Sequence, residues 1–243
     1  MLVHARLLHP RLDASLAKVF GLGSAEELCH SQIVVNSVIR TTECLMSQRI
    51  QPYISPAEYL RLERQAEYKS EYLNGEIFAM SGASRKHNLL TVNISASLNQ
   101  QLRGKACEVY ASEMRVKVRA TGLYTYPDVV VVCGEPQLED EYFDTLLNPT
   151  VLVEVLSRST ERYDRIAKTS YYRTLDSLKE HLLVSQDEIR VEQYAKQADG
   201  TWLLIEHRSL DSNVELQSIG CSLALRDVYD KVQIDPHFRP APR

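Results

Sequence analysis

The chain has 243 residues, 44% of them apolar and 25% charged, which suits one large or two small domains with a sizeable core and excludes a disordered chain. A net charge of -4 and a pI near 6.0 argue against a generic nucleic-acid coat, which would be basic overall, and leave room for a local anion site. Five cysteines (Cys29, Cys44, Cys107, Cys133, Cys221), scattered and without a C-x-x-C pair, predict neither zinc nor a disulfide framework and favour a reducing cytoplasm; no apolar run reaches the ~18 residues of a membrane span, and no signal peptide is legible.

Residues 1–45 look unlike the rest: Asp13 to Phe20 could form a short helix, which Gly21 and Gly23 interrupt. Met46 directly precedes the patterned region, so the expectation is a translation start there, with a genuine docking arm as the alternative. Ser55-Pro56-Ala57-Glu58 is a capping box with proline at the first helical position. It predicts a helix to about Ser70 with Tyr59, Leu62 and Ala66 facing inward. Asn74-Gly75 is a turn signal that opens a strand over 76–80. Residues 85–102 form a second helix, closed by Gly104, with Leu90, Ile94, Leu98 and Leu102 on its core face and His87 in its first turn.

Residues 113–119 alternate. Met114, Val116 and Val118 are expected inward, which sets Arg115, Lys117 and Arg119 in a row outside, either tracking phosphates or guarding a solvated edge. Tyr126-Pro127 starts an apolar strand, 129–133, with Asp128 at its mouth and Cys133 as core filling. The stretch 135–144 has five acidic residues and no basic one, so it reads as a solvated loop away from any anion site. Residues 150–156 form a second apolar strand, with Val151, Val153 and Val155 on one face and Leu152, Glu154 and Leu156 on the other. Ser159 or Thr160 caps a helix on which Asp164 and Lys168 are neighbours, with Tyr171 and Tyr172 one turn on. Five basic and two acidic residues from Arg158 to Arg173 make a local excess that an anionic substrate could use. Strands over 180–184, 189–194 and 202–207, a helix over 223–228 and a proline-bearing tail complete the chain. The expected division is an extension over 1–45, one α/β domain over 46–234 and a flexible tail over 235–243.

Glu154 inside a β-branched run carries the functional argument. Removing an unpaired carboxylate from water costs several kcal/mol even after relaxation. If Asp128 lies beside it, the two charges also repel, by roughly 4 kcal/mol at ~4 Å and an effective dielectric near 20. A shared divalent cation turns that penalty into binding, and oxygen-only ligation suits Mg2+.

Pro127-Asp128 followed by Glu154-Val155-Leu156 resembles the PD-(D/E)XK nuclease superfamily. Asn74-Gly75-Glu76-Ile77, Arg85-Lys86-His87-Asn88, Leu156-Ser157-Arg158-Ser159-Thr160 and Tyr163-Asp164-Arg165-Ile166-Ala167-Lys168 resemble its Uma-type branch of restriction endonucleases, over roughly 55–232. The resemblance implies a mixed central sheet flanked by helices and Mg2+-dependent hydrolysis of DNA. Asp128, Glu154 and Glu76 would be metal ligands or their support, aided by the Val155 carbonyl, and His87 a substrate contact. A homodimer is also implied. The superfamily places a lysine two residues after the acidic one, where this chain has Leu156, so Lys168 of the next helix is the expected replacement. Should Lys168 fall short, the alternative is an inactive nucleic-acid-binding or scaffold protein of the same fold.

Overall fold

Two glutamates set the shape of the first elements. In the computed structural model, which describes residues 53–235, Ser55 Oγ accepts from Glu58 N at 3.2 Å and Pro56 opens helix α1 (Pro56–Glu63). The helix stops well short of the predicted Ser70. Glu63 turns inward, where its Oε1 accepts from Ser70 N at 2.8 Å and Tyr126 OH at 2.9 Å, so the chain doubles back. The inner face is therefore Tyr59, Leu60 and Glu63, and the predicted Leu62 is exposed. Ser70–Leu73 forms β1 and Glu76–Ala79 forms β2, joined by Asn74 and Gly75 with φ of 51° and 94°, both in the left-handed region a two-residue hairpin turn requires. The predicted start at Met46, the extension before it and the tail from 236 onward lie outside the described residues.

Helix α2 (Arg85–Gln101) begins at Ser84, whose Oγ accepts from His87 N, and buries the expected Leu90, Ile94 and Leu98. The strands β3 (Cys107–Ala111), β4 (Arg115–Val118), β5 (Leu123–Thr125), β6 (Val129–Cys133), β7 (Thr145–Leu146) and β8 (Val151–Leu156) follow. A helical segment, α3, then runs through Glu161–Tyr163, a π-helical turn at Asp164–Lys168, and Thr169–Tyr172. Beyond it lie β9 (Glu180–Ser185), β10 (Val191–Lys196), β11 (Trp202–His207), β12 (Asn213–Leu216), β13 (Cys221–Ala224) and the short helix α4 (Leu225–Val228).

A six-stranded sheet in the order β11-β10-β9-β8-β6-β3 forms the centre, with every pair antiparallel except β8 and β9. A parallel pair needs a crossover, and α3 is that crossover. One face of the sheet packs Val129, Val131, Val151, Val153 and Val155 against α2, β12, β13 and α4. The opposite face, with Val130, Val132 and Leu152, packs on a five-stranded sheet, β2-β1-β5-β4-β7, and on Tyr172, Leu175 and Leu178. This is the expected mixed sheet flanked by helices. No helix of the described residues is long and apolar enough to cross a membrane.

Two expectations are corrected. Cys107 and Cys133 are directly opposed in the β3–β6 register, 4.0 Å apart at Cα, and form a disulfide, so Cys133 is not mere filling and the cysteines do not all stay unpaired. Of the row Arg115, Lys117, Arg119, the first two neither track phosphates nor guard an edge, because β4 lies between β5 and β7 inside its sheet, while Arg119 follows β4 and is exposed. Arg115 is 4% exposed and meets Tyr126 and Asp144, and Lys117 meets Glu139. Their partners come from the acidic stretch predicted to be a free loop, so each charged segment neutralises the other.

Candidate active site

The β6–β8 register pairs Val129 with Val153, and one residue further it sets Asp128 opposite Glu154 on the same face of the sheet. Asp128 Oδ2 accepts from Val155 N at 2.8 Å, which ties it to the strand carrying Glu154, and lies 3.2 Å from His87 Nε2 at the start of α2. His87 therefore faces Asp128.

Glu154 is 4% exposed, and α3 supplies its partners. In the π-helical turn the Thr169 N–H reaches back to the Asp164 carbonyl, a widened geometry common at functional sites. Asp164, Lys168 and Tyr172, each four residues apart, thus share the side that faces the sheet. Lys168 Nζ lies 3.3 Å from Glu154 Oε1 and 3.4 Å from Asp164 Oδ1, and Tyr172 donates to Glu154 Oε1 at 2.5 Å. The nearest carboxylate to Lys168 is Glu71 of β1, at 2.7 Å, itself held by Thr125 Oγ1 at 2.5 Å.

Predicted residues Asp128, Glu154 and Lys168 are brought to one region, and Glu76 is not. Glu76 is exposed on β2 opposite Leu73, and the glutamate that the hairpin delivers to Lys168 is Glu71. The signal was present: a two-residue turn at Asn74-Gly75 requires a strand before it as well as after, and Glu71 is in that earlier strand. Leu156, in the position usual for the lysine, is buried.

Charge does not balance here. Glu71, Glu154 and Asp164, all under 10% exposed, surround one ammonium, so three negative charges less one positive leave two uncompensated when all are ionised. Burial pushes the Glu154 carboxyl well above its ordinary range; Lys168 pulls it back, and Asp164 and Asp128 raise it further. Asp164 is raised by burial too, against the pull of Lys168. Burial alone would lower the Lys168 ammonium, but Glu154, Tyr172, Glu71 and Asp164 together hold it well above its usual value. The pocket keeps its cation and accepts more positive charge, whether a proton or a metal ion. No three His, Cys, Asp or Glu side chains among the described residues converge as a complete ligand set. Mg2+ does not need one, since it is commonly held by one or two carboxylates with water and substrate phosphate in its remaining positions. The opposed pair Asp128 and Glu154, with the Val155 carbonyl next after Glu154 in the chain, fits that pattern.

Residues 56–226 match the Uma2 family, described as "Putative restriction endonuclease". The chain belongs to this family. The Uma2 chain is 38% identical over 178 residues to the uncharacterized protein slr1290 of Synechocystis sp., covering 73% of this chain and 92% of the relative. A second uncharacterized Synechocystis protein, sll1609, is 40% identical over 162 residues, covering 67% and 92%. The crystal structure of a putative nuclease belonging to DUF820 from Anabaena variabilis superposes with a TM-score of 0.60 at 20% identity, over 74% of the Uma2 chain and 99% of that protein. The common fold is the restriction-endonuclease-like one, and the family description points to a nuclease.

Proposed function

We propose that the protein is a metal-dependent nuclease that hydrolyses phosphodiester bonds in DNA. The observation that carries this reading is the opposed pair Asp128 and Glu154, with Glu154 sharing the one Lys168 ammonium with Glu71 and Asp164. A divalent ion held by Asp128, Glu154 and the Val155 carbonyl would supply Lewis acidity toward the phosphate and lower the pKa of a bound water. The chain's own groups do the rest. Val155 N–H and His87 orient Asp128, and Glu71, fixed by Thr125, holds the Lys168 ammonium independently of Glu154. Lys168 then stabilises the charge that builds on the phosphorus oxygens, and Tyr172 holds the free Glu154 carboxylate in register.

The test is nicking or cleavage of DNA with and without Mg2+. Activity is expected only with the ion and only with both carboxylates; cleavage that survives Asp128→Ala combined with Glu154→Ala would remove the reading. A second reading has one observation in its favour: Lys168 already pairs with three carboxylates. A protein that binds DNA without cutting it would bind equally in chelator and give no product.

A further inference from the structure

Beside the acid cluster lies an open cleft of about 540 Å3, lined by Ser84, Arg85, Lys86, Arg158, Gln186 and Asp187 among others. Its walls are continuous with the site. Lys86 precedes His87, which faces Asp128 at 3.2 Å. Gln186 donates from Nε2 to the Leu156 carbonyl at 3.0 Å, two residues past Glu154, and receives Ser84 Oγ on its Oε1 at 2.5 Å. Arg158 starts the connection to the helix bearing Lys168. Three cations thus meet one anion on this wall. That anion, Asp187, bridges two of them: its Oδ1 lies 3.4 Å from Lys86 Nζ and its Oδ2 accepts from Arg158 Nε at 3.0 Å. The side chains of Asp187 and Lys86 are 16% and 29% exposed, whereas that of Arg158 is 74% exposed, so the carboxylate sits at the floor with Lys86 beside it and Arg158 at the rim.

Resting on the nuclease reading, we propose that this cleft seats a flanking backbone phosphate of the strand being cut, and that Asp187 occupies the phosphate's place in the free protein. Three observations support this. A guanidinium and an ammonium pinned to one carboxylate have the spacing that grips an anionic oxygen pair. The net positive wall adjoins a pocket with excess negative charge, so a polyanion docks by the cleft and not by the acids. Backbone charges repeat along each strand, and Lys86 is next in sequence to His87, which faces Asp128, so a flanking phosphate is the group this wall is placed to meet. Displacing Asp187 is a cost built into binding, which a chain of phosphates meets more readily than a single phosphate ion.

The experiment is fluorescence anisotropy of a labelled DNA duplex in EDTA over a series of salt concentrations, with cleavage by wild type in Mg2+ run alongside. Arg85→Ala combined with Lys86→Ala is expected to weaken binding about tenfold or more and to lower the log–log salt slope by about two. Asp187→Asn is expected to tighten binding several-fold and leave the slope no smaller. Inorganic phosphate at matched ionic strength should compete poorly. Affinity and slope unchanged in the double variant, or weaker binding by Asp187→Asn, overturn the proposal even if wild type cuts DNA. The expected shifts in a protein that never cuts DNA would leave the cleft standing and remove the nuclease reading instead.

Discussion

Two charged interiors lie on the same side of the central sheet and differ in balance. Under the five-stranded sheet, Asp144 accepts from Arg64 Nε at 2.8 Å and Arg115 at 3.3 Å, Asp140 meets Arg64 at 2.7 Å, and Glu63 is satisfied by Ser70 and Tyr126. There the hydrogen bond from Arg64, aided by Arg115, holds the Asp144 carboxyl below its ordinary range despite burial. Around Lys168 the opposite holds: Glu154 and Asp164 are both pushed up, burial first, because one ammonium faces three carboxylates. Buried charge alone is therefore no mark of a site. Mismatched buried charge is, since a structural network gains nothing from an anion it cannot pair.

The largest effect should come from breaking the balanced network. Arg115→Ala leaves Asp144 and the buried Tyr126 hydroxyl short of a partner and is expected to cost about 3–5 kcal/mol in denaturant unfolding, with cleavage per folded molecule unchanged. Next is Lys168→Ala, expected to reduce the cleavage rate by about 10²–10³-fold, while Lys117→Ala on the balanced side leaves it within about twofold. Equal losses from the two lysines would erase the distinction. A smaller signal lies in acid stability. His181, 2% exposed and with no hydrogen-bond partner among the described residues at either ring nitrogen, sits between Tyr172 and Tyr194, and its pKa is lowered to about 3 by burial, then by Lys168 and Arg173. Between that value and its ordinary 6.5 the unfolded chain binds the extra proton. Stability therefore falls as pH drops through this window, by at most about 1.4 kcal/mol per pH unit from this residue. His181→Phe should flatten the slope, as followed by thermal unfolding at stepped pH. Smallest is Glu154→Gln, expected to raise metal-free stability by about 1 kcal/mol by relieving the surplus charge, whereas Glu63→Gln lowers it.

Much of the frame was legible in the chain. The strands of Val129 and Val151 show themselves as β-branched runs, α2 by its four-residue apolar spacing, and the costly carboxylate in β8 announces its own need for a partner. Other features depend on tertiary pairing that no local pattern encodes. Arg115 and Asp144 neutralise each other only because β4 is enclosed by β5 and β7. Cys107 and Cys133 are 26 residues apart in sequence and meet through sheet register alone. The π-helical turn that aligns Asp164, Lys168 and Tyr172 has no composition signal, and Glu71 lies in a four-residue strand, Ser70–Leu73, too short to show an alternation of its own.

Calorimetric titration of Mg2+ into the metal-free protein, repeated with Glu154→Gln, tests the central claim most directly. The account predicts a saturable isotherm for the wild type and none for the variant, whose fold, checked by circular dichroism, stays intact. Matching isotherms in both proteins, or no heat in either, would contradict a cation pocket founded on Asp128 and the unbalanced Glu154 of β8.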